Sequence, residues 1–405
     1  MNLESKTINN RSDVITQTIK GDCYLKLGVQ YSNRNNYFKA TECFIEAKNV
    51  FKDTLGREHP GYVQSLHNLG LLYYSIGDYA NAQKYHLEEK TILEKIAGKE
   101  HTYYLLSLTN LKNAYYALGD YEKAIECLIE IKTIQEKILG KDNAEYAQTL
   151  YNLGMLYYKI YDYEKSKRCY LNALFIREKV LGKDHPDYAV SLNILGGLYF
   201  SLNDYINAEH YLLTLKTIYE KNPEKNHSGL AVSLSNLGLL YIKTGNYEKA
   251  EQCLLKVKAI KIKNHGKKHH EYAYSLNNLG LLYHKMGNFK KSIAYYLEVK
   301  SIEEKMYGKN HLNYAAALIN LGAVYYSMGK YSKTESCYFE AKSIRERAFG
   351  KVHPNYIIQL NKLGQLYHSM GDGSRVQHNI FWRRKSYAKN YAATIIQNNS
   401  SYALI

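Results

Sequence analysis

A period of 42 residues runs through almost the whole chain and decides what it can fold into, because self-similarity at that spacing marks one supersecondary unit copied many times. Gly70 lies in Ser65-Leu66-His67-Asn68-Leu69-Gly70-Leu71-Leu72-Tyr73-Tyr74, and steps of 42 from it reach Lys112, Gly154, Gly196, Gly238, Gly280, Gly322 and Gly364, with Gly28 one step back. Nine copies follow one another without insertion or deletion from about residue 17 to Asp372. A chain of 405 residues would ordinarily divide into two or three domains. The unbroken phase predicts one array instead, over 17–372: eight full repeats and a ninth first helix, flanked by an N-terminal tail 1–16 and a basic C-terminal tail 373–405.

Each copy contains two helical segments. Leu66, Leu69, Gly70 and Tyr73 recur at i, i+3, i+4 and i+7, the apolar stripe of helix A. Its end falls at Asn35, Gly77, Gly119, Tyr161, Asn203, Gly245, Gly287, Gly329 and Gly371, and eight of these nine are the residues that best tolerate a left-handed cap. Helix B opens on an aromatic at Tyr37, Tyr79, Tyr121, Tyr163, Tyr205, Tyr247, Phe289 and Tyr331. Three positions on, a small residue such as Ala40, Ala82, Ala124 or Ser166 permits close helix approach. Helix B ends at Gly56, Gly98, Gly140, Gly182, Gly266, Gly308 and Gly350, with Glu224 breaking the series. These families hold 21 of the 26 glycines, which makes glycine punctuation here and not a phosphate cradle. Only four prolines against 43 tyrosines also favours long helices over a turn-rich sandwich, and collagen-like, disulfide-stapled and disordered classes are excluded.

The expected fold is all-α, a right-handed α-solenoid of stacked helix-turn-helix repeats, each too small to bury its own face without neighbours. The order Leu-Gly, Tyr, turn Gly, Tyr, small residue resembles the tetratricopeptide repeat. The 42-residue form with His-Pro between copies, as in Leu181-Gly182-Lys183-Asp184-His185-Pro186-Asp187-Tyr188-Ala189, resembles the kinesin light chain class of that family. Glu340-Ala341-Lys342-Ser343-Ile344 is similar to the arrays that bacteria place before a caspase-like protease domain of the CHAT type, and no such domain is recognised in this sequence.

Periodicity also weighs the chemistry. Seven of 15 histidines (His59, His101, His185, His227, His269, His311 and His353) share one position in the B-to-A linker, and a residue repeated every 42 is architecture. The one local cluster, His265, His269, His270 and Glu271, is read as a solvated linker, since His269 belongs to that series and no cysteine is near. Cys43, Cys127, Cys169, Cys253 and Cys337 share another phase, filled by tyrosine elsewhere, and are expected to be reduced packing residues. Stacked equivalents lie about 8–10 Å apart, whereas a disulfide needs Cα atoms within about 7 Å. No Walker loop, GxSxG elbow or HExxH is present, so neither enzyme activity, nor cofactor, nor metal is expected. No run approaches the roughly 18 apolar residues of a membrane span, and Met1-Asn2-Leu3-Glu4-Ser5-Lys6 lacks a signal-peptide core; a cytoplasmic protein without a membrane partner is expected.

Helix A carries a second stripe, Gln64, Asn68, Leu71 and Ser75, flanked by His67 and Tyr74. The tetratricopeptide resemblance implies that it lines a concave groove. Its central position holds Asn68, Asn110, Asn152, Asn236, Asn278 and Asn320, while Ile194 and Lys362 depart. A carboxamide donates and accepts, as pairing with an extended peptide requires, and the kinesin light chain resemblance implies that such asparagines hold cargo peptides. The alternative is that they bond to neighbouring helices. Beside them lie Tyr74, Tyr116, Tyr158, Phe200 and Tyr326, with Lys159, Lys243 and Lys285 one residue further along, suited to stacking and to acidic ligands. A further series, Lys48, Lys90, Lys132, Lys216, Lys258, Lys300 and Lys342, is read as stems lying along helix B with amines in water. The net charge of +16 favours anionic partners. The tail after Asp372, with Phe381 and Trp382 before Arg383-Arg384-Lys385, is read as a replacement cap, a truncation product or a basic patch. The function expected is a non-catalytic scaffold that captures short protein segments, acidic ones included, with neither a small-molecule substrate nor nucleic acid as partner. The alternative is the sensor portion of a CHAT-type protease system whose catalytic domain is separate.

Overall fold

The computed structural model describes residues 4–221, 227–351 and 353–377, with residues 4–12 and Pro354 described by backbone alone. Among the described residues there is no strand. The A helices are α1 (Glu4–Asn33), α3 (Pro60–Ser75), α5 (Thr102–Leu118), α7 (Ala144–Lys159), α9 (Pro186–Ser201), α11 (His227–Thr244), α13 (His270–Lys285), α15 (Leu312–Ser327) and α17 (Pro354–Ser369). The B helices are α2 (Tyr37–Leu55), α4 (Tyr79–Ile96), α6 (Tyr121–Ile138), α8 (Tyr163–Leu181), α10 (Tyr205–Glu220), α12 (Tyr247–His265), α14 (Phe289–Tyr307) and α16 (Tyr331–Phe349). Every B helix starts on the periodic aromatic. The first helix begins at Glu4, so helical backbone runs through most of the segment assigned to the N-terminal tail.

Two compact units are formed, one up to Leu195 and one from Gly196. In the first, α1 to α8 pack in sequential order, ending with α7 on α8, and A helices also meet as α1 on α3 and α3 on α5. In the second, α10 to α17 pack in the same sequential order, with α11 on α13 and α13 on α15. Each unit is therefore a tandem stack of helical hairpins, the local pattern of an α-solenoid.

Close packing of A on B uses the helix A glycine. A Cβ at Gly154 would lie 2.8 Å from the Tyr170 ring, and one at Gly238 would lie 2.7 Å from Leu254, so the large B residue sits directly on the glycine. The small B position is sealed, with Ala40, Ala82, Ala124, Ser166, Ala208 and Ala250 all fully buried. The cysteines are free; Cys127 and Cys337 are buried, and burial pushes the Cys127 thiol up to about 11.

Both helix types are capped by repeated side chains. His59, His101, His185, His269, His311 and His353 each accept, through Nδ1, the backbone N–H two residues on, at 3.1–3.3 Å. Asn143 replaces the histidine in one copy and accepts from Glu145 N at 2.7 Å. Several of these rings also stack on the aromatic closing the previous B helix, as Tyr307 on His311 at 4.4 Å and Phe349 on His353 at 4.1 Å. Asn36, Asp78, Asp120, Asp162, Asp204, Asn246 and Asn288 cap the B helices by accepting the N–H three residues on. Lys330 has the same backbone, φ −85° and ψ 64°, and makes no side-chain cap. Lys330→Asp is therefore expected to stabilise the second unit by about 1 kcal/mol, read as a raised midpoint in urea denaturation.

Asp372 continues the capping series, accepting from Arg375 N at 3.1 Å, and Arg375 reaches Glu335 at 2.7 Å. A short helical stretch over 373–377 follows, so repeat geometry persists into the segment assigned to the C-terminal tail. Phe381, Trp382 and the basic residues after them lie outside the described residues.

Much of the tyrosine and lysine content has a structural task. Tyr62, Tyr104, Tyr272 and Tyr314, one per repeat, donate to Glu88, Glu130, Glu298 and Glu340 on the following B helix at 2.5–3.1 Å. Burial, together with the bond to Glu298, pushes Tyr272 up to about 12. Lys123, Lys165, Lys249, Lys291 and Lys333 lie 4.6–5.6 Å from the centroids of Tyr115, Tyr157, Tyr241, Tyr283 and Tyr325. Members of the other lysine series likewise lie over rings, Lys48 on Tyr85, Lys258 on Tyr295 and Lys300 on Tyr314, and Lys90 pairs with Glu130 at 3.1 Å.

Candidate functional site

The asparagine ladder sits on consecutive A helices, and its six members differ in what they touch. Asn320 on α15 donates through Nδ2 to Asn277 Oδ1 on α13 at 2.7 Å. Asn152 on α7 accepts from Gln148 Nε2 on its own helix at 3.1 Å. Asn68 on α3, Asn110 on α5 and Asn278 on α13 have buried Nδ2 groups with no protein acceptor, an arrangement that costs free energy unless a partner is found. Asn278 is only 3% exposed, whereas Asn68, Asn110, Asn152, Asn236 and Asn320 are partly exposed. The ladder thus mixes contacts within a helix, contacts between helices and carboxamides with spare donors.

The flanking aromatics are held by their own repeats. Tyr74, Tyr116, Tyr158 and Tyr326 pack against Tyr79, Tyr121, Tyr163 and Tyr331, which open the next B helices, with ring centroids 5.3–5.9 Å apart. Tyr326 Oη also lies 2.6 Å from Ser369 Oγ. Tyr74 and Tyr158 keep more than a third of their surface exposed. Lys159, Lys243 and Lys285 are exposed on α7, α11 and α13. The first unit thus brings Asn68, Asn110, Tyr74 and Tyr116 onto neighbouring A helices α3 and α5, while Asn236, Asn278, Asn320, Tyr326, Lys243 and Lys285 belong to the second unit.

The cluster around His269 is engaged elsewhere, with His269 Nδ1 capping α13 and Glu271 paired with Lys261. A polar cluster that the periodicity reading passed over lies between α3 and α4. Nδ1 of His67 is 2.8 Å from Glu89 Oε1, and Nδ1 of His86 is 2.8 Å from Glu89 Oε2. Aligning the copies would have exposed it. The positions of His86 and Glu89 hold Phe44 and Ala47, Leu128 and Ile131, Tyr170 and Ala173, Leu212 and Leu215, Leu254 and Val257, Tyr296 and Val299, and Tyr338 and Ala341 elsewhere.

No helix among the described residues is long and apolar enough to cross a membrane. The family model described as tetratricopeptide repeat matches residues 23–95, 103–166, 229–305, 271–341 and 313–373, and a second model of the same description matches 147–187. No curated protein matches the chain. Among solved structures, the apo form of RapI is 16% identical, with 91% of this chain and 98% of that chain covered at a TM-score of 0.60. A Podosopora anserina protein of nearly identical TPR-like repeats, assigned to the kinesin light chains, is 25% identical over 51% of this chain and 99% of that chain, TM-score 0.46. BtubC (BKLC) from P. vanneervenii is 19% identical over 62% of this chain and 92% of that chain, also at 0.46. With the family model matched over well more than half of its length, and its tandem hairpins carrying that family's glycine, tyrosine and small-residue order, the chain belongs to the tetratricopeptide repeat family.

Proposed function

We propose that the protein is a non-catalytic interaction scaffold that binds short, extended segments of partner proteins along its A helices. The observation that carries the reading is the spare Nδ2 donor repeated at one position, Asn68, Asn110 and Asn278, each buried without a protein acceptor. A peptide carbonyl supplies the missing acceptor, and Asn68 and Asn110, one repeat apart in the first unit, offer one donor each along an extended ligand. Asn68 and Asn110 are the ones to test, since both remain partly exposed and share the first unit. The exposed faces of Tyr74 and Tyr158 and the amine of Lys159 suit a segment that carries apolar and acidic side chains.

Peptide display against the full chain supplies a ligand, and titration calorimetry measures it. The double variant Asn68→Ala/Asn110→Ala is expected to stay folded by circular dichroism and to bind roughly 5- to 150-fold more weakly, taking 0.5–1.5 kcal/mol for each lost hydrogen bond. Unchanged affinity in a folded variant overturns the placement of the ligand on these asparagines.

A further inference from the structure

We propose that His67, His86 and Glu89 form a binding site for a single divalent transition-metal ion of the Zn2+ class. Their ligand atoms, one imidazole nitrogen from each histidine and a carboxylate oxygen, all lie within 4.8 Å of one another, and the nitrogens that face Glu89, at 2.8 Å, are the two Nδ1 atoms. Zn2+ takes nitrogen and oxygen ligands at about 2.0–2.2 Å, so ligand atoms around one tetrahedral ion stand roughly 3.3 Å apart, and small side-chain rotations close the set. Binding needs each imidazole in the tautomer with its proton on Nε2, which leaves the Nδ1 lone pair free, and needs the carboxylate ionised. The complex then carries one net positive charge, two from the ion less one from the carboxylate.

Three observations single out this cluster from ordinary polar decoration. His86 is 1% exposed and Glu89 3%, at two positions that are buried and apolar in every other full copy. Both substitutions occur in the same copy, where His86 pairs with Glu89 and Glu89 in turn meets a third ligand, His67, across the hairpin. Finally, His67 and Glu89 line a cavity of about 500 Å³ walled by Val63, Leu93, Ile96 and Leu106. Three protein ligands beside an open cavity leave a fourth coordination position for water or for an anionic group of a ligand. The His86 ring lies against Gly70, where a Cβ would stand 2.4 Å from it, so the ring is held in place by the helix A backbone.

The test uses the full chain, stripped with chelator, and titrated with ZnCl2 by calorimetry and with CoCl2 by visible absorption. One equivalent is expected to bind with micromolar or tighter affinity, and Co2+ is expected to give the intense visible bands of a four- or five-coordinate site. His86→Leu/Glu89→Val, which recreates the Leu254 and Val257 pair, is expected to weaken Zn2+ binding at least about 100-fold and abolish the Co2+ bands. His67→Asn, the residue found at that position as Asn277 and Asn361, is the second variant, and it is expected to weaken binding about tenfold or more while the fold is kept. His265→Ala/His270→Ala is expected to bind as the parent does. Equal binding by the parent and the first two variants, loss of binding only in the last, or no saturable binding in the parent overturns the proposal.

Discussion

His86→Leu is expected to destabilise the first unit by about 3 kcal/mol, although leucine is the residue found at this position in three other copies, as Leu128, Leu212 and Leu254. The reason is the partner left behind. Glu89 is 3% exposed and is held by two imidazoles, so removing one leaves a buried carboxylate with a single hydrogen-bonding side chain. Removing one partner of a buried charged group typically costs about 3–5 kcal/mol because the charge left behind is uncompensated, and the remaining bond from His67 places this case at the lower end. Glu89→Val alone strands two imidazoles without their shared partner and is expected to cost about 1–3 kcal/mol. The double variant removes the whole polar cluster and restores the apolar pair of the other copies, so its expected cost is below about 1 kcal/mol. The cycle therefore predicts coupling of several kcal/mol. Urea denaturation in chelator, with hydrogen exchange over α3 and α4 to localise the effect, measures it; additive single effects would show that the carboxylate is not held by the histidines.

The fold was readable because its signals are local and recur. The aromatic at Tyr79 or Tyr121 marks the first residue of a B helix, and the glycine or asparagine two residues before it marks the left-handed turn. The histidine series was recognisable as architecture from its phase alone, but its chemistry, an Nδ1 acceptor for the second N–H of the next helix, depends on backbone angles that spacing does not specify. The candidate groove was less legible. Whether a ladder asparagine bonds to its own helix, as Asn152 does, or across to a neighbour, as Asn320 does, depends on residues such as Gln148 and Asn277 that lie off the ladder. The burial of Asn278 is likewise a consequence of packing between A helices. The His67, His86 and Glu89 cluster was missed for the opposite reason. It is a departure from the repeat, and reading for what recurs hides what occurs once, even though two apolar positions replaced in one copy are visible by aligning the chain with itself.

The same distinction between backbone demand and side-chain demand separates two families of glycine that look alike in sequence, and it predicts opposite outcomes for one substitution. At the ends of the A helices φ is positive at Gly77, Gly245 and Gly329, and also at Asn35, Asn203 and Tyr161, with φ of 57°, 60° and 64°. Gly119 has ψ 7° there, in the left-handed helical region that asparagine enters readily. At the ends of the B helices φ is also positive, but ψ is near 170°, as at Gly308 with φ 81° and ψ 168° and Gly350 with φ 76° and ψ 173°. That region is open essentially to glycine alone, and holding another residue in it costs about 1–3 kcal/mol. No steric neighbour is involved, because a Cβ at Gly308 or Gly329 would meet nothing within 4 Å. Gly329→Asn is therefore expected to change stability by less than about 1 kcal/mol, and Gly308→Asn to cost about 1–3 kcal/mol, in the same unit and with the same side chain. Paired urea denaturation curves decide the matter. Equal losses at the two positions would mean that the turn after α14 relaxes to another conformation, and that the glycine series closing the B helices reflects something other than backbone strain.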